Sequence, residues 1–172
     1  MGTLTVDNLN LKGSGSVSSV GKVLQVQSSF KSDTDSTTST SDVAISGLSL
    51  TLTPASASSK VLVQFDVGTM GNNHNAHMFF TVYRSIGGGS YSAIGQGTGG
   101  GSYNYAAAAY HTNTVYGTVG HCFLDSPNTT SEITYKLYFR SSSGSYTMYI
   151  NRRGSDDLFR GSTSLICTEV AG

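Results

Sequence analysis

The chain holds ten tyrosines and no tryptophan, and this population is where recognition chemistry is most readily placed. A tyrosine ring offers an apolar platform with a polar tip, which suits both a subunit interface and stacking beneath a sugar. Tyr91, Tyr103, Tyr105, Tyr110, Tyr116 and Tyr149 fall in loops or on outward faces of predicted strands. Residues 96–113 form the longest irregular stretch and gather Tyr103, Tyr105, Tyr110 and His111. That makes them the first candidates for ligand contact, because binding residues concentrate on loops held by a rigid scaffold. The competing reading is that these rings cover a sheet edge or an interface.

Other reactive residue types are sparse. His74-Asn-Ala-His77 places two imidazoles three apart, but a zinc site needs three or four ligands and no Cys or acidic residue lies nearby in sequence. His74 and His77 are therefore weak metal candidates unless copies of the chain meet on a threefold axis, and no cofactor is expected. Glycoside hydrolysis needs a carboxylic acid facing a carboxylate; the two glutamates, Glu132 and Glu169, are the remaining pair to consider. No Gly-x-Ser-x-Gly joins a strand to a helix, and the glycines read as turn makers. The expectation is a protein without catalytic residues. Cys122 and Cys167 are each flanked by apolar residues in predicted strands and read as free buried thiols, with pairing left open because sequence does not show which strands are neighbours.

The elements that must position these groups are extended. In Ile133-Thr-Tyr-Lys-Leu-Tyr-Phe-Arg140 the apolar residues Ile133, Tyr135, Leu137 and Phe139 alternate with Thr134, Lys136, Tyr138 and Arg140. A side-chain period of two describes a strand with one dry and one wet face. Val61-Val63-Phe65-Val67, Leu48-Leu50-Leu52, Leu24-Val26 and Val115-Val119-Phe123 repeat the pattern. Strands are predicted at about 22–30, 42–53, 60–68, 77–86, 91–95, 114–124, 132–141, 145–152 and 163–170. Ser143-Gly144 reads as a tight hairpin, Gly87-Gly88-Gly89 as a second turn, and Asp125 through Thr130 as a turn in which Asp125 caps amides. The four alanines at 106–109 are too few to nucleate a helix. The fold class is all-β, an antiparallel sandwich or jelly roll.

With 172 residues, one domain is expected. Residues 1–21 form a separate segment: a strand-like stretch at 3–11 whose alternation slips, then a flexible connector at 13–19. It reads as an attachment or inter-subunit segment, with fraying as the alternative, and residues 22–172 as the sandwich. Only 12% of residues are charged and the formal net charge is zero, against about 25% charged in an average domain. That excludes the basic footprint of a nucleic-acid binder. A neutral surface rich in hydroxyl groups suits oligomer packing or an uncharged ligand such as sugar. No run approaches the length needed to span a bilayer, and no secretory signal opens the sequence, so synthesis in the cytosol is expected.

Several segments resemble tail-fibre-like virion proteins of marine and cyanobacterial phages. They are Gly47-Leu-Ser-Leu-Thr-Leu-Thr-Pro-Ala-Ser-Ala-Ser-Ser-Lys-Val-Leu-Val63, Phe123-Leu-Asp-Ser-Pro-Asn-Thr-Thr-Ser131, Ile133-Thr-Tyr-Lys136 and Tyr149-Ile-Asn-Arg152. Arg160-Gly-Ser-Thr-Ser164 and Cys167-Thr-Glu-Val-Ala171 are similar too, as is the lead-in Leu4 to Leu9 followed by Gly21 to Gln25. The likeness rests on their order and is weakest over 68–118, which holds His74, His77 and the tyrosine loop. It implies a virion surface module made in the host cytoplasm, homotrimeric, joined to other virion proteins through its N-terminal segment and contacting host-surface carbohydrate or receptor through loops. A capsid decoration or cement protein is the alternative within the same class. A polysaccharide-degrading tail spike is the alternative from a different one.

Overall fold

The computed structural model describes residues 21–101, 103–111 and 117–172. Eleven strands are found among them: β1 (Val23–Lys31), β2 (Asp35–Thr37), β3 (Val43–Leu52), β4 (Lys60–Asn72), β5 (Ala76–Ile86), β6 (Ser92–Ile94), β7 (Ala107–His111), β8 (Gly117–Asp125), β9 (Ile133–Ser141), β10 (Met148–Ile150) and β11 (Thr163–Val170). No helix occurs among the described residues. The N-terminal segment lies outside them except for Gly21, as do Val115 and Tyr116.

Every pairing is antiparallel. One sheet runs β1-β11-β4-β10-β2, with β8 on the other side of β4. The second runs β3-β9-β5-β6, with β7 also on β5. The chain crosses repeatedly between layers, and the result is the expected sandwich. Alternation explains how the layers close. Val61, Val63, Phe65 and Val67 face Met78, Phe80, Val82, Ile133, Leu137 and Phe139, and all are buried. Phe65 and Phe80 meet across the gap with ring centroids 6.3 Å apart. Each such side chain contributes about 1.5–3 kcal/mol by leaving water.

The structure changes several local expectations. β9 and β10 are not a hairpin: β9 pairs with β3 and β5, whereas β10 pairs with β4 and β2. Ser143-Gly144 instead sits in a link between the sheets. β1 is an edge strand whose Val23, Leu24, Val26 and Phe30 are all exposed, so Leu24-Val26 does not line the core. β7 lies within the stretch read as irregular, and β2 was not expected at all. In β3 the register with β9 slips between Ala44 and Ser49. Gly47, at φ +71°, takes the left-handed turn that lets both Ile45 and Leu48 point inward.

The two cysteines are free, but only Cys167 is buried. It lies opposite Val63 on one side of β4, while Cys122 lies opposite Gln64 on the other side and is exposed. Strands two apart in a sheet are separated by about 9.5 Å, too far for a disulfide. Burial, then the nearby Asp125, pushes the Cys167 thiol far above its usual range.

Candidate functional site

The outer face of the second sheet carries the aromatic residues. Consecutive residues of a strand point to opposite sides, so in β5 Phe80 enters the core and Phe79 must point out. Phe79 is directly opposite Arg140 of β9 and Ala108 of β7. One step along, His77 is opposite Tyr110, and their rings lie 4.8 Å apart. The loop before β7 folds back over this strip. It is tied down by Gly97 N–H donating to Tyr105 O and by Ala106 N–H donating to Phe80 O. Tyr103 and Tyr105 then stack on Phe79 at 5.0 and 4.9 Å. Phe79 is left only 5% exposed although it belongs to the outer face, whereas Tyr103 remains 51% exposed.

His77, Phe79, Gly101, Tyr103 and Tyr105 line an open depression of about 330 Å³. Arg140 flanks it, its guanidinium carbon 5.1 Å from the Phe79 ring and 5.5 Å from that of Tyr103. Arg140 Nη2 donates to Asn104 O, which fixes the loop to β9. Nε stands 3.2 Å from Asp42 Oδ1, a contact of charges rather than an aligned hydrogen bond. Asp42 Oδ2 accepts from the Tyr83 hydroxyl at 2.8 Å. Partial burial, then the bond to Asp42, pushes the Tyr83 phenol up to about 12. Tyr83 continues the aromatic surface by meeting Tyr138 at 4.1 Å, and Lys136 caps Tyr91 beyond it.

The structure thus brings Tyr103, Tyr105 and Tyr110 to one strip. His111 is paired through its backbone with Ala76 at the end of β7. His74 and His77 do not converge. His74 stacks on Tyr146 at 4.5 Å, and its Nδ1 accepts from Asn75 N–H, while His77 belongs to the aromatic strip. Among the described residues no three His, Cys, Asp or Glu side chains are placed to hold a metal ion. Glu132 and Glu169 are engaged separately. Glu132 begins the turn into β9, where its main-chain carbonyl accepts from Gly87 N–H. The Glu169 carboxylate is buried and accepts from Ala55 N–H and Gln25. Burial works to raise its pKa, but these bonds prevail and hold it below the usual carboxylate range. Phe79, Arg140 and Asp42 were not anticipated. Two signals pointed to Phe79 and Arg140, adjacent phenylalanines in one strand and an arginine on the wet parity of β9, and none pointed to Asp42.

No family model matches the chain, and no curated protein does. Solved structures of infectious bursal disease virus are similar over 98% of this chain. The Gt strain matches at 14% identity and a TM-score of 0.46, and the Gx strain at 14% and 0.43; each match covers 43% of that chain. The VP2 subviral particle of the same virus matches at 11% identity and a TM-score of 0.40, covering 42% of that chain. The chain spans under half the length of these structures, and a likeness at this level assigns no function.

Proposed function

We propose that this chain is a non-enzymatic structural module of a virus particle, of the tail-fibre type in phages, which holds host-surface carbohydrate against the aromatic strip of its second sheet. The observation that carries this reading is the groove of Tyr103 and Tyr105 built on Phe79, because exposed rings with hydroxyl tips suit the mixed apolar and polar faces of a sugar. The order of sequence segments shared with tail-fibre-like proteins supports the virion location.

A second surface favours assembly. On the outer face of the first sheet Val26, Thr168, Leu62 and Leu124 are in register across β1, β11, β4 and β8. Val26 and Leu124 are each 57% exposed. An apolar row on a weakly charged protein is a surface that copies of the chain or neighbouring virion proteins would cover. In a homotrimer, three weak sugar sites on one rigid body would act together by avidity. A capsid-cementing role would use the same row and leave the groove idle.

The test is adsorption. Purified protein should compete with particles for host cells, and Tyr103→Ala or Tyr105→Ala should each weaken competition about fivefold for a lost stacking contact of about 1 kcal/mol. Competition unaffected by either change removes the groove from the reading. Gold-labelled antibody found across the capsid and never on tails would replace adhesion by decoration.

A further inference from the structure

The charge balance around Arg140 defines which sugars the groove accepts. The guanidinium is the cation stacked on the platform, beside Phe79 and Tyr103, and it is not free. Nε faces Asp42, Nη2 is spent on Asn104 O, and the Arg140 and Asp42 side chains are each only 16% exposed. A carboxylate gripped by arginine needs two parallel N–H groups on one edge of the fork. With Nε turned to Asp42 and one Nη2 hydrogen given to Asn104 O, the Nε/Nη2 edge is not on offer, and an anion at the Nη1/Nη2 edge meets a guanidinium whose charge Asp42 already balances. An approaching anion would also meet the negative charge of Asp42, which is held in place by Tyr83. The remaining lining, His77, Phe79, Tyr103, Tyr105 and Gly101, holds no carboxylate and no lysine or arginine.

Resting on the glycan reading above, we infer that the groove takes the apolar face of an uncharged hexose, and that Asp42 excludes acidic sugars by neutralising Arg140. Asp42 is therefore a specificity-determining residue that need not touch the ligand. The hexose ring C–H groups lie on Tyr103 and Tyr105, and its hydroxyl groups meet the phenol tips and the backbone at Gly101.

Calorimetric titration of the full chain with maltohexaose, cellohexaose and galactohexaose, against oligogalacturonate and sialyllactose, tests this. The wild type should bind at least one neutral oligomer more tightly than either acidic sugar, with less than a twofold change between low and high salt. Asp42→Asn keeps an acceptor for Tyr83 while removing the charge, and should strengthen oligogalacturonate binding at least fivefold. Asp42→Thr provides a second route should the amide disturb the start of β3. Wild-type preference for acidic sugars with steep salt dependence would overturn the neutral class yet leave glycan binding standing. Unchanged acidic binding in a folded Asp42 variant would overturn the role of Asp42. Failure to bind any of the five sugars, in protein that still competes for host cells, would refute the glycan reading itself.

Discussion

Replacing Tyr135 with Phe isolates one buried contact that locks the two sheets together. The Tyr135 hydroxyl donates to Asp125 Oδ2 at 2.9 Å from β9, and the ring is completely buried. Asp125, at the end of β8, also receives Arg84 from β5 at 2.6 and 2.8 Å and the Ser126 amide at 2.9 Å. Phe fills the same space, so the packing contribution of the ring survives and the hydroxyl alone is lost. A hydrogen bond to a charged partner contributes about 1.5–3 kcal/mol, and Asp125 keeps three donor contacts, which points to the lower end, about 1.5–2 kcal/mol. With a urea slope of about 2 kcal/mol per molar, the unfolding midpoint should fall by about 1 M. The pH dependence supplies a second reading. Burial, then the neighbouring Asp125, holds the Tyr135 phenol far above its usual range. A group whose folded pKa is raised contributes fully below its unfolded value, near 10, and loses that contribution as pH rises toward the folded one. Tyr135→Phe should therefore flatten the decline in stability above about pH 10. A midpoint within 0.2 M of wild type, with the same alkaline slope, would refute the lock.

Three further outcomes are expected. Absorbance titration of the ten tyrosines should show a step near 12 that disappears in Tyr83→Phe; a curve left unchanged by that substitution in this range would contradict the Asp42 contact. Gly71→Ala should destabilise by about 1–3 kcal/mol in urea unfolding, because a methyl there would lie 2.5 Å from Gly154 N and 2.9 Å from Arg153 Cα. A neutral result would mean that the 151–162 loop gives way freely. Light scattering should report a multimer that Val26→Asp with Leu124→Asp reduces to single chains, and a monomeric wild type would remove the assembly role of the first sheet.

Alternation made the sandwich legible because residues such as Val61–Val67 and Ile133–Phe139 each have one face to bury. It failed where a strand has no such face. Ala107-Ala-Ala109 carries no alternation and little β propensity, yet it forms β7 by pairing with β5 and packing Ala107 and Ala109 against the core. Asp35-Ser-Thr37 is wholly polar and becomes β2 only by pairing with β10. Leu24 and Val26 have the expected spacing, but a two-residue pattern does not say whether a strand is central or at an edge. Cys122 and Cys167 have similar sequence surroundings and opposite exposures, since strand parity within the sheet decides the matter. The aromatic strip was legible in its tyrosines and hidden in its support, as Phe79, Arg140 and Asp42 come from three separate strands or their borders.

That support holds the proposed recognition surface in place. A phenylalanine on an outer sheet face would ordinarily remain in water, but Phe79 is covered by Tyr103, Tyr105 and the Arg140 guanidinium. Burying it stabilises the loop conformation, so in the proposed reading the tyrosines are held before a ligand arrives and less entropy would be lost on binding. The core beneath depends on Phe80 and Val82, which point the other way. Residues 96–106 can therefore change without disturbing the layer that holds them, provided that Phe79 keeps a cover. A loop fastened to the fold by one outward ring and one arginine is free to vary in its exposed residues while its anchor stays in place.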